Sequence, residues 1–187
     1  MKLTDIINSI LYIYQLEQTP RSGYEKRGIP FNQKDCESVT EHIGTGAILS
    51  YLLALEYAPA LDAKRVPLLL LFHDVPEAIT KDRTPGEITP DQKKESEALA
   101  YAKIIAPFSR LGKEKLSLLH EEYLANQTPE AQFAHDIDVL QRCIRAGIYF
   151  KEHPELNILQ EFFPETALIK NHKLQEICIN ALTQITH

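Results

Sequence analysis

The chain of 187 residues contains no tryptophan, one methionine, seven glycines and only three cysteines. The thiols Cys36, Cys143 and Cys178 are odd in number, widely separated and without a CxxC unit. That argues against a disulfide framework or a cysteine-rich zinc site; it fits reduced, buried thiols and a cytoplasmic location. Positive charge is also scarce, with 20 Lys and Arg against 26 Asp and Glu and a net charge of -6. Binding a nucleic-acid polymer needs clustered Lys and Arg, so that class is set aside. A small anionic substrate in a locally basic pocket is not. Long apolar runs are missing: the longest, Val66 to Phe72, falls far short of the ~20 residues of a membrane span. The opening stretch carries Asp5, Asn8 and Gln15, which a secretory signal would not. No P-loop, GxGxxG or GxSxG occurs, which removes the common triphosphate, dinucleotide and hydrolase-elbow readings.

What remains is helical spacing almost throughout, with no alternating strand pattern. The 44% hydrophobic and 25% charged residues are ordinary for a folded chain, and the length suits one all-α domain over residues 1–187. The first helix is expected from Thr4 to Leu16, with Leu3, Ile6, Ile7, Ile10 and Tyr14 on one face. A connector follows from Glu17 to Glu37, read as structureless and therefore functional. Ser38 with Glu41 has capping-box spacing and opens the second helix. A third runs from about Asp62 to His73-Asp74. Thr89-Pro90 opens a fourth, Gly112 precedes a fifth, Thr128-Pro129 opens a long sixth, and one more follows Pro164.

The chemistry-bearing residues lie around His42 and in the stretch His73, Asp74, Glu77 and Asp82. Neighbours on a helix diverge by about 100°, so His73 and Asp74 can reach one ion only at a helix end, and Pro76 supplies that end. His with Asp is a common ligand mixture for a divalent transition metal. Each residue also has a plainer role: a lone His as a hydrogen-bonded core residue, an Asp before Pro as a cap. Spacing leaves both open. His120, His153, His172 and His187 show no ligand-like partners. Lys81 and Arg83, flanking Asp82, read either as a positive field or as solvated loop charges.

The order His42, then LLLLFHDVPEAITKD (68–82), then AHDIDVL (134–140) resembles the HD-domain metal-dependent phosphohydrolases, with PRSGY ahead of the first His and ESVTEH around it. It is most similar to their 5'-deoxynucleotidase branch, over roughly residues 4–150. The resemblance implies an HD-type bundle of about six to seven helices. It implies one divalent metal (Mn, Fe, Co, Ni or Zn) held by His42, His73, Asp74 and Asp138. Glu77 matches the catalytic carboxylate, Arg21 a phosphate-contacting residue and Asp82 a sugar-contacting one. A homodimer acting on a small nucleotide, away from membranes, is implied as well. Helical phase does not choose the last ligand: Asp138 points about 120° and Asp136 about 80° from the stripe of Phe133, Ile137, Leu140, Ile144 and Ile148. The family pattern, a ligand two residues before Leu, selects Asp138. The tryptophan that some members carry near the Arg is lacking; Tyr24 is the nearest aromatic, which leaves the sugar preference open. Other HD-type phosphodiester or triphosphate hydrolysis, and a non-catalytic nucleotide- or metal-binding helical protein, stand as alternatives.

Overall fold

A computed structural model describes residues 3–31 and 35–187. Seven long helices carry the architecture: α1 (Leu3–Gln15), α3 (Val39–Tyr57), α4 (Arg65–His73), α6 (Pro90–Ile105), α7 (Arg110–Ala125), α8 (Pro129–Glu152) and α10 (His172–Thr186). Three short ones, α2 (Ser22–Glu25), α5 (Glu77–Thr80) and α9 (Ile158–Phe162), lie between them. Among the described residues there is no strand, only an isolated bridge between Pro20 and Ser38. None of their helices is long and apolar enough to cross a membrane.

The helix starts follow their caps. Ser38 accepts from the Glu41 amide while Glu41 reaches back to the Ser38 amide, the reciprocal box that its spacing predicts. Thr89 and Gln92 repeat that box ahead of Pro90, and Thr128 caps α8 ahead of Pro129. The fifth helix departs from expectation. Ser109 accepts from the Gly112 amide, so α7 begins at Arg110 and Gly112 lies inside its first turn.

At 24 residues, α8 is the axis of the fold, about 36 Å long at 1.5 Å per residue. It packs against α3, α4, α7, α9 and α10. Its buried residues, including Phe133, Ile137, Val139, Leu140, Gln141, Cys143 and Tyr149, run around much of its circumference. Gly147 permits the closest approach, since a Cβ there would stand 2.6 Å from a Leu182 methyl. The α3 helix buries Gly46, Ala47, Ser50 and Ala54 along one stripe, and these small side chains let it lie close to its neighbours.

The apolar face of α1 is left largely uncovered by this chain: Ile10 is 50% and Tyr14 59% exposed. The helix instead buries Ser9, whose hydroxyl donates to the Ile104 carbonyl at 2.7 Å. The 17–37 connector, expected to be structureless, is not. It holds a 3-10 turn (Leu16–Gln18) and α2, and its ends are laced by Arg21 N–H to Glu37 O at 3.0 Å and Val39 N–H to Thr19 O at 2.8 Å. Local turns and two long-range backbone bonds satisfy amides that a free loop would leave to water.

Candidate metal centre and active site

Four helices deliver the acidic cluster and its two imidazoles. His42 lies one turn inside α3, where the Ser38 cap fixes the helix entry. His73 is the last residue of α4 and Asp74 its C-cap, with φ -99° and ψ 9°. The backbone leaves the helix between them, which lets adjacent side chains turn to one point. Asp138 comes from the middle of α8, and Glu77 is the first residue of α5.

The distances are short. His42 Nε2 lies 3.1 Å from Asp138 Oδ1 and 3.7 Å from Asp74 Oδ2. His73 Nε2 lies 3.0 Å from Asp74 Oδ2 and 4.0 Å from Asp138 Oδ1. One donor atom from each of His42, His73 and Asp138 falls within 4.8 Å of the others. The ring nitrogens have the right protonation for ligation. His73 Nδ1 lies 2.7 Å from the Leu70 carbonyl, which can only accept, so Nδ1 carries the proton and Nε2 presents its lone pair. His42 Nδ1 lies 2.6 Å from Gln141 Oε1, which sets the same tautomer. His42 Nε2 and Asp138 Oδ1 are buried with no hydrogen-bond partner. Two imidazoles and two carboxylates with bare lone pairs suit a divalent transition metal.

Charges in the chain alone are mutually compensating. Burial disfavours the charged form of His73, yet Asp74, by charge and hydrogen bond, and then Asp138 outweigh it and raise its pKa. Burial likewise opposes ionisation of Asp74, but His73 and Arg21 hold it well below the carboxylate range. Asp138 is lowered too, against burial, by the adjacent His42 imidazole and by Arg142. Glu77 goes the other way: burial first, then Asp74 and Asp82, raise its carboxyl well above the ordinary value.

Arg21 caps α2 and reaches into the cluster, with Nη1 at 3.2 Å from Asp74, 3.6 Å from Asp82 and 3.8 Å from Glu77. Asp82 anchors this loop: its Oδ2 accepts from the Ser22 amide at 2.7 Å, and its carbonyl accepts the Ser22 hydroxyl at 2.6 Å. Lys81 makes the turn at φ 65° and ψ 158°, a region that glycine favours, and so swings Asp82 back toward α2. Lys81 Nζ donates to the Thr19 hydroxyl across 62 positions at 3.4 Å, and Arg83 Nε donates locally to the Thr80 carbonyl at 3.3 Å.

Seven residues singled out in the sequence thus converge. Asp136, the competitor of Asp138, does not join them. It is buried and accepts the Lys170 and Asn171 amides at 2.9 and 2.8 Å, tying α8 to the start of α10. Tyr24 also faces elsewhere, packing on Tyr149 and Phe162 with its hydroxyl on the Arg142 carbonyl. Residues that sequence reading missed surround the site. Arg142 donates to Asp138 at 3.0 Å, a bond its i,i+4 spacing would have suggested. Gln141 and Glu37 lie buried behind His42. His120, set aside in the sequence, is buried with Nε2 unpartnered and stacks on Tyr101 at 4.2 Å. Burial first, then the charge of His73, push its pKa down to about 4.

A family model described as an HD domain matches residues 13–179. The chain belongs to the HD-domain family. Among its relatives is the 5'-deoxynucleotidase HDDC2 of Bos taurus, 30% identical over 166 residues, covering 87% of this chain and 77% of the bovine protein. The 5'-deoxynucleotidase hdd1 of Schizosaccharomyces pombe is 28% identical over 188 residues, covering 98% of this chain and 91% of the yeast one. Within the family the chain sits in the 5'-deoxynucleotidase-like branch. Solved structures share its fold. The PH0347 protein of Pyrococcus horikoshii superposes with a TM-score of 0.75 at 24% identity, over 96% of this HD-domain chain and 98% of that chain. A phosphohydrolase of Magnetospirillum magnetotacticum, titled as predicted and metal-dependent, gives 0.72 at 21% identity over 98% and 94%.

Proposed function

We propose that this HD-domain chain is a metal-dependent phosphomonoesterase that hydrolyses nucleoside 5'-monophosphates, the deoxy forms foremost, to nucleoside and phosphate. The observation that carries this is the convergence of bare His42 Nε2 and Asp138 Oδ1 with His73 and Asp74, beside the buried Glu77 and the Arg21 fork. The names of the bovine and yeast relatives support the substrate class. His42, His73, Asp74 and Asp138 would hold one divalent ion, of Mn, Fe, Co, Ni or Zn. Such an ion, when bound, supplies Lewis acidity at a phosphate oxygen and lowers the pKa of a bound water.

The chain's own residues do the rest. Arg21 pairs with phosphate oxygens through its planar guanidinium. Glu77 takes the proton of the attacking water, and its raised proton affinity suits that task. Water adds to phosphorus in line as the 5' oxygen leaves, giving nucleoside and inorganic phosphate. Asp82, with Oδ2 committed to Ser22, keeps Oδ1 for the sugar. The protein acts in the cytoplasm as a homodimer in this reading. The face of α1 bearing Ile7, Ile10, Leu11 and Tyr14, uncovered in a single chain, supports the dimer.

The test is phosphate release from nucleoside mono-, di- and triphosphates with each of the five metals, after chelation and on readdition. Release from monophosphates, abolished by chelator and restored by metal, is expected. Release from di- or triphosphates alone would overturn the substrate assignment.

A further inference from the structure

The two imidazoles of the site are oriented by different means. His73 is fixed by a backbone carbonyl, which no substitution removes. His42 depends on side chains, and the chain of contacts behind it can be followed outward from Arg145 on α8. Arg145 Nε lies 3.0 Å from Glu37 Oε2. A guanidinium only donates, so Oε2 accepts. Gln141 lies 3.0 Å from that same oxygen, and an oxygen that accepts calls for the amide NH2 there. The Gln141 carbonyl is then left to face His42 Nδ1, at 2.6 Å. An amide oxygen also only accepts, so the imidazole proton must sit on Nδ1. Glu37 itself is pinned by its own amide, which donates to the Tyr149 hydroxyl at 2.7 Å.

Glu37, His42 and Gln141 are all nearly fully buried, at 3%, 1% and 2% exposure, so water cannot substitute for a lost partner. This matters because a neutral imidazole left to itself favours the proton on Nε2, the tautomer that cannot ligate. We propose that Arg145, Glu37 and Gln141 are positioning residues that hold His42 in its ligand tautomer, and that they thereby set the affinity of the site for a divalent metal. The proposal rests on the metal reading above. It adds to it residues that touch neither metal nor substrate and that lie as far as three hydrogen bonds behind the ligand. Their effect is directional: what counts is which end of the Gln141 amide faces the ring. Partners of this kind typically change metal affinity by about 10–100-fold.

The test uses the full chain without metal, with Mn as the probe. In the parent, nitrogen NMR of the neutral His42 imidazole should show a protonated Nδ1 and a bare Nε2. Gln141→Met keeps the volume and removes the acceptor; its Mn affinity should fall by about 10–100-fold. Glu37→Met, which frees the amide to turn over, should do the same. Glu37→Gln retains a carbonyl that can accept from both Arg145 and Gln141, and should restore parent affinity. A proton on Nε2 in the parent would overturn the proposal even if no variant folds. So would a Gln141→Met protein that binds Mn as tightly as the parent. A parent that binds no metal would instead sink the metal reading itself.

Discussion

Asp136 and Asp138 stand two residues apart on one helix, and the structure assigns them opposite duties, so exchanging each carboxylate for an amide gives opposite phenotypes. Asp136 accepts two backbone amides at 2.9 and 2.8 Å in a buried setting. Asparagine keeps one acceptor oxygen and turns an NH2 toward the other amide. Losing one hydrogen bond to a charged group costs about 1.5–3 kcal/mol. At about 2–4 °C per kcal/mol for a domain of this size, Tm should fall by roughly 3–12 °C. Metal binding should survive. Asp138→Asn removes the buried, unpartnered oxygen beside His42 and should lose the metal. The assay is thermal unfolding with and without metal, alongside elemental analysis. Saturation at 100 times Kd adds about 2.7 kcal/mol, which should raise the Tm of the parent and of Asp136→Asn by roughly 5–11 °C. Asp138→Asn should show no rise. If Asp136→Asn loses the rise and Asp138→Asn keeps it, the ligand set is misassigned by two residues.

Glu77→Gln should lower turnover by about 10²–10⁴-fold while leaving metal content unchanged. In the metal-free protein the same change should stabilise the fold, by about 1–3 kcal/mol. The native state holds a proton on Glu77 that the unfolded chain has released, so parent stability falls as pH rises from about 4.3 through the raised native pKa; denaturant unfolding showing an equal gain at pH 3 would contradict this. Arg21→Ala should raise KM, since losing one partner of a desolvated charge pair costs about 2–5 kcal/mol, with metal affinity unchanged or improved. Asp82→Asn should raise KM less, because Ser22 keeps an acceptor at that position; a loss larger than that of Arg21→Ala would mean that Asp82 does more than anchor the loop and meet the sugar.

Long helices were legible because their signals are local. Ser38 with Glu41, Thr89 with Pro90 and Thr128 with Pro129 each announce a start by side-chain chemistry within four residues. For α1, amphipathic spacing shows that a stripe is apolar, not whether this chain covers it, and the stripe is largely exposed. Phase could not separate Asp136 from Asp138 because α8 is buried around much of its circumference, and one stripe gives no direction to a helix with several packed faces. Only the family pattern selected Asp138. The residues behind the site escaped for a different reason. Gln141 and Arg145 meet His42 and Glu37 across about a hundred positions of sequence, and a buried glutamine on an apolar helix was the one local hint.

The electrostatics of the site argue for an order of events. Asp74, Glu77 and Asp82 share the Arg21 guanidinium at 3.2 to 3.8 Å, and Asp138 has Arg142 at 3.0 Å. A phosphate dianion meeting this arrangement would face more negative than positive charge and would have to draw Arg21 away from Asp74. At 3.2 Å and an effective dielectric near 20, that one pairing is worth about 5 kcal/mol before desolvation. A divalent cation held by His42, His73, Asp74 and Asp138 would change the balance: it would supply positive charge beside Glu77 and compete with Arg21 for Asp74. The depressed Asp74 and Asp138 and the elevated Glu77 are then one fact seen from three residues. Those nearest His42, His73 and Arg21 ionise readily, while the one left without a close cation of its own keeps its proton. In the reading proposed above, affinity for phosphate would therefore depend on positive charge in the site, with anion binding following cation binding.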